Sequence, residues 1–192
     1  MKKGLLIILS GPSGVGKGTV RKYIMKHHSF PMVFSISMTT REPRITETNG
    51  VEYYFVSKEE FQKNIDEDNF LEWAEFVGNR YGTPKSKVEE LRNQGKNVLL
   101  EIEVTGATQV LDKVHDDGVV SFFLMPPSIE TLKARIAGRK TESEELIAKR
   151  VAKGVREMDE AYRYQYVIVN NKVKDAGDKI IEILEEKINN NN

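Results

Sequence analysis

The sequence predicts an α/β fold, a parallel sheet covered by helices on both faces, and three observations predict it. Short continuous apolar runs recur along the chain and alternate with segments of helical spacing, which is how strands buried on both sides read. The first run, LLIIL (5–9), leads directly into GPSGVGKGT (11–19), a glycine-rich turn that opens a helix. One stretch, 37–92, breaks the rhythm with aromatic-rich alternating pieces, which predicts a small α+β unit inserted between two core strands.

The elements follow in order. LLIIL (5–9) is a buried strand, 17–27 a helix and VFSI (33–36) a second strand. The inserted unit holds VEYYFV and FLEWAEFV as extended pieces, with a helix between them and another after; Phe70, Trp73 and Phe76 are expected to form its core. NVLLEIE (97–103) and VVSFFLM (119–125) are core strands, separated by the helical TGATQVLDKV. SIETLKARIAGR is a helix packed through Ile129, Leu132 and Ile136. A short polar segment from Gly138 to Glu145 precedes a long charged helix around 144–162, with Thr141 and Glu144 as its expected capping box. YVIVN (166–170) is the last strand, and DAGDKIIEILEEKI closes the fold through Ile180, Ile181, Leu184 and Ile188, before a frayed INNNN. The resulting division is a core of residues 1–36 and 93–192, an insertion of 37–92, and a polar segment 137–150 within the core.

Composition bounds the chemistry. A chain of 192 residues, 39% hydrophobic, suits a soluble core domain with one inserted unit. Lys+Arg and Asp+Glu are both 29, so the basic excess usual in nucleic-acid binders is missing and any anion site is local. With no cysteine, disulfides, thiolate zinc sites and thiol nucleophiles are excluded. The apolar run after Met1-Lys2-Lys3 stops at Ser10 without a cleavage site, and no stretch approaches membrane-spanning length; a cytoplasmic protein is expected. His27, His28 and His115 show no ligand spacing and read as surface.

The chemistry begins at Gly11-x4-Gly16-Lys17. Glycines let the backbone curl until successive N–H groups point at one anion, and the following helix adds its positive end. Gly11, Pro12, Ser13, Gly14, Val15, Gly16, Lys17, Gly18 and Thr19 are therefore the candidate cradle for a nucleotide's phosphates, with Lys17 reaching the β/γ positions. Gly18 stands where many such loops carry the Ser or Thr that binds magnesium, so no direct metal ligand is expected in the loop, and Thr19 is left to bond a phosphate oxygen. In the insertion, SISMTTREPR (35–44) sets Arg41 and Arg44 three apart on a segment stiffened by Pro43, a candidate bidentate clamp for a second phosphate. Ser37, Tyr53, Glu72, Tyr81 and Thr83 lie in the pieces around it.

Taken together, GPSGVGKGT, S-x-x-x-TTR-x-PR, NG-x-x-Y-x-FV, F-x-EWA-x-F, YGT, LEIE-x-x-G, L-x-x-RI-x-GR, ESEELIAKR and YVIVNN resemble guanylate kinase over essentially the whole chain. The resemblance implies a P-loop nucleoside-monophosphate kinase fold: a parallel-sheet core, the 37–92 insertion as a GMP-binding lobe, and 137–150 as a short mobile lid. It implies that Arg41, Arg44, Tyr53 and Tyr81 hold the GMP phosphate. It further implies that Ser37, Glu72 and Thr83, helped by Gly82 and Glu103, read guanine. Chemistry favours the same assignment, because guanine offers N1–H and the 2-amino group to a carboxylate whereas adenine presents a lone pair there; Ser37 can donate to O6. By the same resemblance Arg135, Arg139 and Arg150 swing onto the ATP phosphates or adenine face and Asn170 approaches adenine. Lys149, Lys153 and Arg156 are left to solvent.

Glu101 and Glu103 end a core strand beside the loop, where a carboxylate can hold the hydration shell of magnesium; Thr19 is the other candidate near that shell. The expectation is transfer of the γ-phosphoryl group of ATP to GMP, with Lys17, Arg41, Arg135, Arg139 and Arg150 as catalytic cations, Mg²⁺ accompanying ATP, and no nucleic-acid or membrane partner. Two alternatives stay open. A protein-binding module of this family without catalysis is disfavoured by the intact Gly16-Lys17 loop. A related kinase with AMP or a ribose phosphate as acceptor is disfavoured by Glu72 and Ser37. Monomer and homo-oligomer are both compatible with the sequence.

Overall fold

The computed structural model describes residues 2–76, 78–138 and 143–190. Its core is a five-stranded, all-parallel sheet in the order β2-β7-β1-β8-β9, with β1 Leu6–Ser10, β2 Met32–Phe34, β7 Asn97–Glu101, β8 Val119–Met125 and β9 Tyr166–Val169. Because side chains alternate across a strand, β1 feeds two cores. Ile7 and Leu9 pack with Val20 and Ile24 of α1 (Lys17–His27) and Ile180, Ile183 and Leu184 of α7 (Val173–Asn190). Leu6 and Ile8 pack on the other face with Val88 of α3 (Lys85–Asn93) and Ala107 and Val110 of α4 (Val104–Lys113). All four β1 residues are fully buried, each worth about 1.5–3 kcal/mol by area.

The expected strand NVLLEIE pairs only to Glu101, whose partner is Leu9. β1 then turns into the glycine loop, so Ile102 and Glu103 leave the sheet, and Glu103 becomes the residue that caps α4.

A second sheet holds β3 (Met38–Thr39), β4 (Tyr54–Phe55), β5 (Phe70–Phe76) and β6 (Asn79–Pro84), in the order β4-β3-β6-β5. α2 (Lys58–Asp66) packs on it by stacking Phe61 on Phe70 at 4.6 Å. β5 and β6 are antiparallel, and β6 runs straight into α3, which returns the chain to the core sheet through Val88 and Leu91. Phe76, expected in the lobe core, is 68% exposed: β5 lies against α4 at Trp73 and then runs out to a hairpin end with nothing to cover it.

The remaining helices are α5 (Ile129–Ala137) and α6 (Glu144–Met158), the latter continued by a 3₁₀ turn at Asp159–Arg163. The cap of α6 is Ser143, whose side chain accepts from Leu146 N–H; Thr141, the expected cap, lies outside the described residues. Leu132 and Ile136 pack α5 onto Gly14 and Gly154, whereas Ile129, a turn earlier, passes the end of that contact and is 44% exposed. Among the described residues no helix is long and apolar enough to cross a membrane.

Candidate active site

Gly11, Gly14 and Gly16 all take positive φ, the last at 101° in the left-handed region, where a side chain is strained. Gly16 also has no room for one, since a Cβ would stand 2.8 Å from Asn170 Nδ2. The loop is braced from behind. Val15 O accepts from Asn170 Nδ2 at 2.8 Å and from Arg135 Nη1 at 3.1 Å, and Arg135 Nη2 donates to Asn170 O at 2.9 Å. α6 braces the other side: Arg150 Nη2 donates to Ser13 Oγ at 3.0 Å, and the Ser13 backbone N–H donates to the buried Glu157 carboxylate at 3.3 Å. Thr19 is exposed on the first turn of α1.

Lys17 folds over this loop and donates to Gly11 O at 2.7 Å. Burial pushes its pKa below the usual lysine value, opposed by the carboxylates of Glu103, Glu101 and Glu157. Glu103 Oε1 lies 3.9 Å away and Glu103 Oε2 pairs with Lys153 at 3.3 Å. Glu101 pairs with Arg21 at 2.6 Å, and its other oxygen faces Gly18, where a Cβ would stand 3.4 Å off. The bare position 18 thus leaves space in front of a hard oxygen ligand. That donor chemistry fits a magnesium ion held through water.

A cleft of about 860 Å³ joins these strand-end carboxylates to the second sheet; its walls include Ser37, Tyr53, Glu72, Tyr81, Glu103 and Lys153. Glu72 is 6% exposed, and Thr83 Oγ1 donates to its Oε1 at 2.5 Å. Burial raises the Glu72 pKa, while the bonds from Thr83 pull it down. Tyr53 and Tyr81 meet edge to face at 5.9 Å, and the Arg41 guanidinium stands 5.5 Å from the Tyr53 ring. Burial raises the Tyr53 pKa as well. Gly82, buried in β6, lies against Phe70 and Trp73.

The two candidate clamp arginines differ. Arg41 pairs with Glu47 at 2.8 Å, and that hydrogen bond raises its pKa. Arg44 is exposed; its backbone N–H donates to the other Glu47 oxygen at 2.8 Å. Arg139 lies outside the described residues.

The structure adds residues that the sequence reading passed over. Lys153, left to solvent there, bridges Glu103 and Glu157 at 3.3 Å each and lines the cleft. Arg150, Lys153 and Glu157 are spaced three and four apart, so one face of α6 points at the loop; that spacing was visible in the sequence, its destination was not. Arg21, Glu47 and Gln109 carried no signal beyond ordinary helix or turn composition, and Gly106 entered only as the glycine of LEIE-x-x-G, with no role attached.

The comparisons with known proteins agree with this geometry. The sequence model of the guanylate kinase family matches residues 3–187. A guanylate kinase of Mycoplasma capricolum subsp. capricolum is 52% identical over 184 residues, 96% of this chain, and one of Malacoplasma penetrans is 47% identical over 187 residues, 97% of this chain. The chain spans 61% of the length of the first of these and 95% of the second. The crystal structure of guanylate kinase from Anaplasma phagocytophilum superposes with a TM-score of 0.74 at 32% identity, covering 97% of this chain and 87% of that one. A curled glycine loop under a buried lysine, a carboxylate-walled cleft and a match along nearly every residue lead to one assignment: the chain belongs to the guanylate kinase family.

Proposed function

We propose that the protein transfers the γ-phosphoryl group of ATP to GMP, giving ADP and GDP. The observation that carries this reading is the cleft itself. At one end stand Glu101 and Glu103, the latter 3.9 Å from Lys17 of the glycine loop; at the other, a buried carboxylate, Glu72, held by Thr83. Such a carboxylate accepts from both N1–H and the 2-amino group of guanine, and an adenine N1 lone pair in its place would leave a buried charge unpaired.

In this reading the acceptor phosphate sits between Arg41, Arg44, Tyr53 and Tyr81, with Ser37 donating to guanine O6. Arg41 then exchanges Glu47 for the phosphate. The nucleophile is already an anion, so no general base is required, and the work is to hold two repelling phosphates in line. Lys17 and the loop N–H groups take the donor phosphates, with Arg135, Arg139 and Arg150 adding charge. Glu101 and Glu103 would hold magnesium through its water shell, and when bound it would supply positive charge against the transferring phosphates. Residues 37–92 as acceptor lobe and 137–150 as lid belong to the same proposal, since closure excludes the water that would otherwise take the phosphoryl group.

A coupled ADP-release assay with an acceptor panel tests it. Turnover with GMP and little with AMP is expected. Turnover with no acceptor would leave a binding module, and preference for AMP would remove the guanine assignment.

A further inference from the structure

The residue that reads guanine in this proposal sits on β5 of the second sheet, yet the helix that holds it comes from the core. α4 starts directly after β7, and its side chains meet β5 at two points. Gln109 makes a pair of hydrogen bonds with the backbone of Trp73, the residue next to Glu72: its Oε1 accepts from Trp73 N–H at 3.1 Å and its Nε2 donates to Trp73 O at 2.9 Å. One turn earlier, Gly106 is buried against the Glu72 side chain. A Cβ at position 106 would stand 2.5 Å from Glu72 Oε2, 3.2 Å from Cδ and 3.4 Å from Cγ.

We propose that α4 sets the base selectivity of the acceptor site, with Gly106 leaving the space that the Glu72 carboxylate occupies and Gln109 holding β5 in register with it. The inference rests on the guanine reading above and adds two positioning residues to it.

Glycine is a poor choice inside a helix on local grounds, and alanine there would favour α4. Gly106 takes no positive φ, so backbone conformation does not demand it either. What demands it is space. The atoms that an alanine methyl would strike belong to the end of a flexible side chain, not to backbone. The fold therefore survives the substitution and the displacement falls on the carboxylate. Glu72 has little freedom to yield without loss. It is 6% exposed, and moving Oε2 away from α4 carries Oε1 off Thr83 Oγ1, now 2.5 Å distant. A shifted or half-unpaired carboxylate no longer meets two adjacent purine donors together. Loosening Gln109 acts on the same group by another route, letting β5 drift from α4. Neither change touches the phosphate loop, which is braced by Asn170, Arg135 and α6.

The test is titration calorimetry of GMP and of ATP on the wild-type chain, Gly106→Ala and Gln109→Met, with thermal unfolding of each. GMP binding to the wild type is expected. Gly106→Ala should weaken GMP by about tenfold or more while ATP stays within about twofold and the chain still unfolds in one cooperative transition. Gln109→Met should weaken GMP in the same selective way, by a smaller factor. Unchanged GMP affinity in Gly106→Ala, or equal losses for both nucleotides, overturns the inference and leaves the guanine reading intact. A wild type that binds ATP but not GMP overturns the guanine reading and the inference with it. Should Gly106→Ala fail to fold, Gln109→Met decides by the same criterion.

Discussion

Lys17 and Glu72 are both ionisable groups taken largely out of water, and the proposed function gives each a ligand that would complete it. Lys17 donates to Gly11 O at 2.7 Å and Pro12 O at 3.4 Å and stands 3.9 Å from the Glu103 carboxylate; in the proposed reading an incoming phosphate takes over these contacts with charge-assisted bonds. Its replacement by alanine should lower kcat by about a hundredfold or more, with the far-UV circular dichroism unchanged; near-normal turnover would remove the lysine from the chemistry. Glu72 is a carboxyl whose pKa burial has raised. Its ionised form is disfavoured in the folded state, so its contribution to stability is present at low pH and is lost as pH rises through the raised value. Guanine binding runs the other way: only the carboxylate accepts two donors, so affinity should climb as pH passes that value and then level. Guanosine is the right probe, because the phosphate of GMP titrates near pH 6 itself. The pH-dependent part of guanosine binding should vanish in Glu72→Gln, a change that should also weaken GMP binding far more than ATP binding. A Glu72→Gln profile that parallels the wild type would sink the assignment.

At the scale of elements, the loop that its glycines curl is held in place by its neighbours. α5 lends Arg135, the end of β9 lends Asn170, and α6 lends Arg150 and Glu157. Asn170 is the most informative of these. It is 2% exposed, and its amide fills the space that a Cβ on Gly16 would need. Asn170→Ala removes a buried donor from Val15 O and leaves a gap behind Gly16. A loss of about 1–3 kcal/mol of stability is expected, visible as a lower urea midpoint. The KM for ATP should rise more than the KM for GMP if the loop holds the donor nucleotide as proposed. Equal effects on both substrates would mean that Asn170 supports the fold at large and not the loop.

The whole molecule depends on how α3, which carries the chain out of the second sheet, is tied to the core. Arg92 near its end is 1% exposed. It donates to Gly4 O at 2.9 Å and makes a paired contact with Asp116, at 2.8 and 2.9 Å, in the turn that precedes β8. Breaking a buried ion pair from one side costs about 3–5 kcal/mol; Asp116 is 39% exposed, so Arg92→Leu should cost about 3 kcal/mol, the low end of that range. The Arg92 hydrogen bond holds the Asp116 carboxyl below its ordinary pKa. A depressed carboxyl contributes stability above its unfolded value and loses it as pH falls through the folded one. Acid unfolding of the wild type should therefore include a component that Arg92→Leu lacks, readable as a flatter dependence of the urea midpoint on pH below about pH 4.

Legibility in the sequence followed the range of the physics involved. Helix α1 and strand β8 run between the same residues as the sequence predicts, 17–27 and 119–125, because apolar runs and glycine punctuation act locally. The loop glycines and Lys17 were readable for the same reason: their spacing is itself the device that curls a backbone around an anion. Contacts between distant segments were not. Nothing near Glu157 announces that it accepts from Ser13, 144 positions away, and nothing near Gln109 points to Trp73, 36 positions back. Phe76 reads as core by type, yet it is exposed because β5 outruns the helix that covers it.

By itself the sequence determined the alternating α/β order and the glycine turn that opens α1, since each depends on short-range spacing and backbone freedom. Only the tertiary structure decided which carboxylate is buried, which arginine is paired and which helix stands against Glu72. Those properties belong to surfaces brought together across many residues of chain, and desolvation and steric room exist only once the surfaces meet.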